Sequence, residues 1–308
     1  MTENNHNTMT PQVDKKRKIL FHLLIAFATI VWGTTFVSTR YLLADGEGFG
    51  PVEIMLYRFL IAYICMVAVS HKKLFADTWK DELLLIVTAL LGGSFYFVLQ
   101  NIALTDKDVN SSIVAILGST APLMTIFLAY FFRKEKLYKT TLIGSVIALI
   151  GVGIIVFYKE EQFTFKIGFA ETLILIASFF WAIYSLLLEG LSKKYSTAFM
   201  TRKVFFYSII SMIFYLPFLP IDLKVHLLLE PVFIGNLLYL GVVASFLCFF
   251  IWSCGVPILG SSKASNYLYV EPFVALFAGA LVLGETITIE SIIGSILIIG
   301  GVALSQRN

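Results

Sequence analysis

Apolar positions fall into ten runs along the chain, separated by short polar stretches. The runs cover residues 19–43, 51–70, 83–104, 110–132, 138–158, 168–191, 201–220, 232–257, 261–283 and 287–305. Each is close to the ~20 residues a helix needs to cross the hydrocarbon core of a bilayer. In lipid every backbone N–H and C=O must be satisfied inside the protein, so ten such runs predict a bundle of spanning helices. Pro51 stands at the expected start of the second helix, where a missing N–H costs nothing. No connection is long enough to hold a soluble domain.

The runs also repeat. Residues 111–154 align with 261–304 at a constant offset of 150 and no gap, with ten of 44 positions identical. Shared apolar letters alone would mean little. The shared set includes Ser111/Ser261, Ser112/Ser262, Pro122/Pro272, Glu135/Glu285, Gly144/Gly294, Ser145/Ser295 and Gly151/Gly301. Self-similarity at one fixed period is the mark of a duplicated unit. Five runs per half is an odd number, so the second half must lie upside down relative to the first.

Charge agrees with that inversion. Of the 23 lysines and arginines, 17 lie in the N-terminal segment, in the connections after even-numbered runs or the first residues of the runs that follow them, and in the C-terminus. Five lie on the other side, namely Arg40, Lys107, Lys159, Lys166 and Lys224, and Arg58 sits inside the second run. The bias places both termini in the cytoplasm. The connection after the fourth run carries Arg133, Lys134, Lys136 and Lys139, whereas its twin, Gly284-Glu285-Thr286, carries no base. Lys15 to Lys18 precede the first run as in a signal peptide. That run is too long for a signal peptide and no small-residue cleavage site follows, so it is expected to stay as a helix. The expected fold is an all-α integral membrane protein, with ten transmembrane helices as two inverted five-helix repeats. Residues 1–18 form a disordered cytoplasmic tail, 19–158 the first repeat and 168–305 the second.

Composition narrows the function classes. The chain is 58% hydrophobic and 14% charged, against roughly a quarter charged in soluble domains. The net charge of +3 is accounted for by the loops and does not point to nucleic acid. Cys65, Cys248 and Cys254 all lie in apolar runs and read as small buried hydrophobes. The four histidines show no ligand spacing, so no metal and no cofactor is expected. There is no H-E-x-x-H or G-x-S-x-G, and His71 and Asp77 are wrongly spaced for an acyltransferase-like pair. These absences argue against an intramembrane enzyme. A non-transporting scaffold has no need of a charge at mid-membrane, and no selectivity-filter sequence suggests a channel. Inverted repeats recur in secondary transporters, with the substrate held at the repeat interface near the midplane.

Four local motifs carry a resemblance. Trp32-Gly33-Thr34-Thr35-Phe36-Val37 resembles the first-helix motif of EamA-domain transporters in the drug/metabolite transporter superfamily. Residues 177–184, Ala-Ser-Phe-Phe-Trp-Ala-Ile-Tyr, are similar to that family's second-repeat start. Pro272 followed by Leu283-Gly284-Glu285 looks like its ninth helix and following turn. Arg58 resembles an arginine common on its second helix. The resemblance spans about residues 19–306. It implies a carrier, in a bacterial plasma (inner) membrane, that exports amino acids or related small amphiphilic metabolites. It also implies a cavity lined mainly by helices 1, 3, 4, 6, 8 and 9.

Within that frame Glu271 is the leading chemical candidate. It lies at the eleventh of 23 residues in its run and its twin is Ala121. A charge at mid-bilayer costs roughly 2.5–3.5 kcal/mol on insertion scales and tends to mark a pathway. Glu271 is therefore a candidate for binding substrate and a coupling proton. Pro122 and Pro272 free the carbonyls of Gly118 and Leu268 and are expected as hinges beside Ser119, Thr120, Tyr269 and Glu271. Tyr96 and Gln100 share one helix face, as do Asn266 and Tyr269. Trp32, Trp181, Tyr184 and Trp252 lie well inside their runs, away from interface belts. These residues compose the expected substrate site. Arg58 is close enough to a helix end to snorkel and is expected to be structural. The small residues of runs five and ten are packing surfaces, either between the halves or in a homodimer.

Overall fold

The computed structural model describes residues 11–44, 47–71, 73–134, 138–159, 162–163, 167–215, 217–218 and 221–305. Among them ten helices match the ten runs. They are α1 (Pro11–Leu43), α2 (Pro51–Val69), α3 (Trp79–Ala103), α4 (Ser111–Arg133), α5 (Lys139–Phe157), α6 (Phe169–Leu191), α7 (Thr197–Phe214), α8 (Pro231–Leu259), α9 (Ser261–Ser265 continuing as Asn266–Leu283) and α10 (Ile289–Ser305). Two two-residue strands, Tyr158–Lys159 and Gln162–Phe163, pair in the connection between the repeats.

Local chemistry sets the ends. Thr78 accepts from the Asp81 N–H to start α3, and Ser196 accepts from the Phe199 N–H to start α7; each satisfies one orphan donor. Prolines occupy the first turns of α2 and α8. Four boundaries differ from expectation by more than two residues, one of them the start of α3, which falls four residues early at Trp79 behind the Thr78 cap. α1 begins at Pro11, so residues 11–18 continue the helix and do not belong to a disordered tail; residues 1–10 lie outside the described residues. α7 begins four residues early because of the Ser196 cap and stops at Phe214. Arg202 and Lys203, counted above with the loop cations although the seventh run opens at residue 201, sit inside α7.

The halves are opposed. The Asn110 amide donates to the Thr286 carbonyl at 3.1 Å, which puts the start of α4 beside the end of α9. At the other face the Ser261 N–H donates to Glu189 Oε2 at 3.3 Å and Arg133 Nη1 pairs with the same oxygen at 2.9 Å. The start of α9 thus lies beside the end of α4, and the two run antiparallel. This is the inversion that the odd helix count demands.

α5 and α10 pack on each other at the edge of the bundle. A Cβ on Gly151 would stand 2.7 Å from the Gly294 carbonyl oxygen, and one on Gly301 would stand 2.5 Å from that of Gly144. The repeated small residues are consumed in this contact between the halves. The outer faces, with Leu142, Val146, Leu149, Ile293 and Ile296, are exposed and suit lipid.

The basic face is tied across the halves between α3 and α7. Lys203 pairs with Glu82 at 2.5 Å, both under a tenth exposed, and Tyr207 donates to the same carboxylate. Arg202 donates to the carbonyls of Ser70 and Lys73. Lys194 and Tyr195 both hold Asp81 at 2.9 Å. The opposite face instead carries a vestibule of about 730 Å3 bordered by Arg40, Glu47, Lys107, Glu230 and Glu285 among others.

Candidate functional site

Helix irregularities gather at mid-membrane. α3 widens into a π segment over Leu90–Phe95 and α8 over Tyr239–Leu247. α4 is interrupted at Ser119–Thr120, and α9 narrows to 3-10 geometry over Asn266–Tyr269. Each break falls just before the proline that removes a ladder hydrogen bond, Pro122 or Pro272. The carbonyl freed at Gly118 lies 3.3 Å from the Ser178 hydroxyl of α6, which it shares with the Ile174 carbonyl at 2.8 Å, so a polar group of the protein stands where lipid could offer none. Such interruptions concentrate at functional positions.

Between these elements lies a cavity bordered by Trp32, Thr35 and Phe36 of α1, Arg58 of α2 and Tyr96, Phe97 and Gln100 of α3. Gly118, Ala121, Trp181, Phe249, Leu268 and Glu271 complete its wall. It holds about 30 Å3, room for roughly two waters and no solute. Aromatic rings fill the centre. Trp32 stands 5.7 Å from Trp181, 5.5 Å from Phe249 and 5.3 Å from Trp252, and Tyr96 stands 4.9 Å from Trp181. The site is closed.

α1 and α9 approach beside Glu271. A Cβ on Gly33 would meet the Glu271 carbonyl oxygen at 2.9 Å and Val274 Cβ at 2.6 Å. Only glycine allows this crossing, which gives the Trp32-Gly33 pair a mechanical sense: the tryptophan borders the cavity while its neighbour lets α9 in. Trp32 Nε1 donates to the Ala244 carbonyl at 2.9 Å, a group on the π segment of α8. Glu271 is 7% exposed and forms no ion pair among the described residues.

The structure gathers five of the sequence candidates on the wall: Trp32, Tyr96, Gln100, Trp181 and Glu271. Six others do not border the cavity. The hydroxyls of Ser119 and Thr120 turn back onto the carbonyls of Ile116 and Leu117, satisfying the broken turn of α4. Tyr184 and Trp252 are buried behind Trp181, at 5.0 and 6.0 Å. Asn266 and Tyr269 lie on the 3-10 turn that leads into Glu271. The wall also holds residues absent from the sequence candidates, namely Thr35, Phe36, Phe97, Phe249 and Arg58, together with Gly118, Ala121 and Leu268. Thr35 and Phe36 follow Trp32 within its motif, a usable signal. Phe97 and Phe249 had none, being two of 28 phenylalanines. Arg58 is 0% exposed and does not snorkel.

An inverted helical repeat with a closed polar-and-aromatic cavity between its halves is the architecture of secondary membrane transporters. The model of the EamA-like transporter family matches residues 19–157 and 168–306. The chain belongs to that family, within the drug/metabolite transporter superfamily. It is 28% identical over 293 residues to the uncharacterized transporter YdfC of Bacillus subtilis (strain 168), covering 94% of this chain and 92% of that one. An uncharacterized transporter of Archaeoglobus fulgidus is 25% identical, covering 92% and 98%. A Streptantibioticus cattleyicolor protein named "Probable terminal-alkyne amino-acid exporter" is 24% identical, covering 92% of each. A solved crystal structure aligns over 93% of this chain and 98% of its own at a TM-score of 0.68 and 15% identity, a likeness of fold alone.

Proposed function

We propose that the protein is a secondary transporter that exports amino acids or related small amphiphilic metabolites by alternating access, in a bacterial plasma (inner) membrane with both termini cytoplasmic. The observation that carries this reading is the closed cavity between the opposed halves, which joins aromatic walls to a buried carboxyl. Its volume is far below the few hundred Å3 of a ligand site, so a solute enters only when the walls part. Pro122 and Pro272 supply the hinges, because each interrupts its helix beside the cavity. Trp32, Tyr96, Gln100 and Trp181 contact the solute; Ser119, Thr120, Tyr184, Trp252, Asn266 and Tyr269 support them and come to the wall as it opens. Glu271 binds the coupling proton: it is the one carboxyl on the wall, is buried, and has no ion-pair partner among the described residues. The amino-acid exporter among the relatives supports the substrate class.

The test is transport in proteoliposomes by Glu271→Gln, which keeps the shape and stays neutral. Exchange of solute between equal pools should survive, while accumulation driven by a pH gradient should vanish. Full pH-driven accumulation per folded molecule would leave Glu271 with a packing role. Single cysteines at Lys134 and Thr286 test the orientation: the first should label only from the cytoplasm and the second only from outside.

A further inference from the structure

The carrier reading leaves one charged group on the cavity wall unused. Arg58 of α2 is completely buried. Its Nε donates to the Ser245 hydroxyl at 2.9 Å. Its guanidinium carbon lies 4.3 Å from the centroid of the Phe97 ring, so the ring and the hydroxyl hold the plane of the group. Nη1 is buried and has no hydrogen-bond partner. No carboxylate among the described residues pairs with it. Glu271 borders the same cavity from α9 without reaching it.

This is half of an ion pair held ready. A guanidinium stays charged under all ordinary conditions, and a buried charge without its counter-charge is strongly unfavourable. A protein that wanted only packing here would do better with leucine or methionine. The residues that fix Arg58 lie on or next to irregular backbone: Ser245 is within the π segment of α8, and Phe97 comes two residues after the π segment of α3 ends. Two further cavity atoms, Gln100 Oε1 and Trp181 Nε1, are also buried without partners. The wall therefore offers a fixed cation, one free acceptor and one free donor, set among rings.

We propose that Arg58 recognises the carboxylate of the transported solute. The planar fork of a guanidinium matches a carboxylate through two parallel hydrogen bonds, and Nη1 is the free end of that fork. The single cation suits a monoanion, and the surrounding aromatic rings suit a small apolar body attached to it. The class of cargo is then a small organic acid with a free carboxylate, amino acids included. The inference rests on the carrier reading for its cavity and adds the group that selects the cargo.

The experiment uses the full chain in proteoliposomes, with the quench of tryptophan fluorescence as the binding signal. Two of the four tryptophans, Trp32 and Trp181, border the cavity, and Trp252 packs against both. The probes are a panel of apolar amino acids and the matching amino-acid amides, which differ only at the carboxylate. Wild-type protein should bind the acids about ten- to a hundredfold more tightly than the amides, the span of one charge-assisted hydrogen-bonding contact. Arg58→Gln should weaken the acids by a similar factor and leave the amides unchanged, with Arg58→Lys between the two. Should Arg58→Gln not fold, the acid-against-amide ratio of the wild type decides alone. Equal binding of acids and amides overturns the inference, as does equal weakening of both by Arg58→Gln or binding of neither. The carrier reading falls on a different result, the absence of gradient-driven flux of any solute in the same vesicles.

Discussion

α4 and α9 are two copies of one helix, and they differ where it matters. Both begin with Ser-Ser, both break before a proline, and both end on a residue in left-handed conformation, Lys134 in one and Gly284 in the other. Their sequence twins Ala121 and Glu271 both border the cavity from opposed directions. The frame is thus shared while the chemistry is not: only α9 brings a carboxyl. The ends differ too. Glu285 accepts from the N–H groups of Ser111 and Ser112 at 2.7 and 3.4 Å, so the turn after α9 caps α4 directly. Its twin Glu135 lies outside the described residues. The start of α9 is held by Glu189, which is shared with Arg133. A duplicated fold keeps its mechanical parts in both copies and can keep a functional group in one.

The sharpest way to break the comparison is to exchange the twins. If the halves were equivalent, Ala121→Glu combined with Glu271→Ala would restore function. The expected result is loss of pH-driven transport, because Gly33 and the α1 crossing stand beside position 271 alone. Ala121→Glu by itself should lower stability or insertion by about 2.5–3.5 kcal/mol, read as reduced yield and a lower melting temperature in detergent. Next in size is Glu285→Ala. It strips a carboxylate from two orphan donors at a helix N-terminus and should cost about 1–2 kcal/mol; an unchanged melting temperature would show the cap to be idle. The two left-handed residues should respond in opposite senses. Gly284→Ala should destabilise by about 1 kcal/mol, and Lys134→Gly should stabilise by up to about 1 kcal/mol, since only glycine adopts this conformation without a steric cost. The smallest effect concerns Arg133 and Glu189, each about a quarter exposed. A double-mutant cycle there should give a coupling of about 0.2–1 kcal/mol.

The legible parts of this molecule are those that water and lipid impose on the chain directly. Ten runs of spanning length, the offset of 150 between Ser111 and Ser261, the inverted sense of the halves, and the isolated position of Glu271 all follow from the sequence. Each depends on length, repetition or charge, which packing does not alter. Which side of a helix faces inward was not legible. In a soluble protein the polar face announces the surface, but in lipid the outer face is as apolar as the core. Ile176 of α6 is over two-fifths exposed while Ile174 on the same helix is fully buried, and nothing in the letters separates one isoleucine from the other. For the same reason Phe97 and Phe249 could not be told from lipid-facing phenylalanines, nor Tyr184 and Trp252 from rings that border the cavity. Arg58 was misplaced because its distance from a helix end allows snorkelling, whereas α8 closes over it. Only the tertiary structure decided these cases, because the direction of a side chain in an apolar solvent is set by the neighbours that cover it.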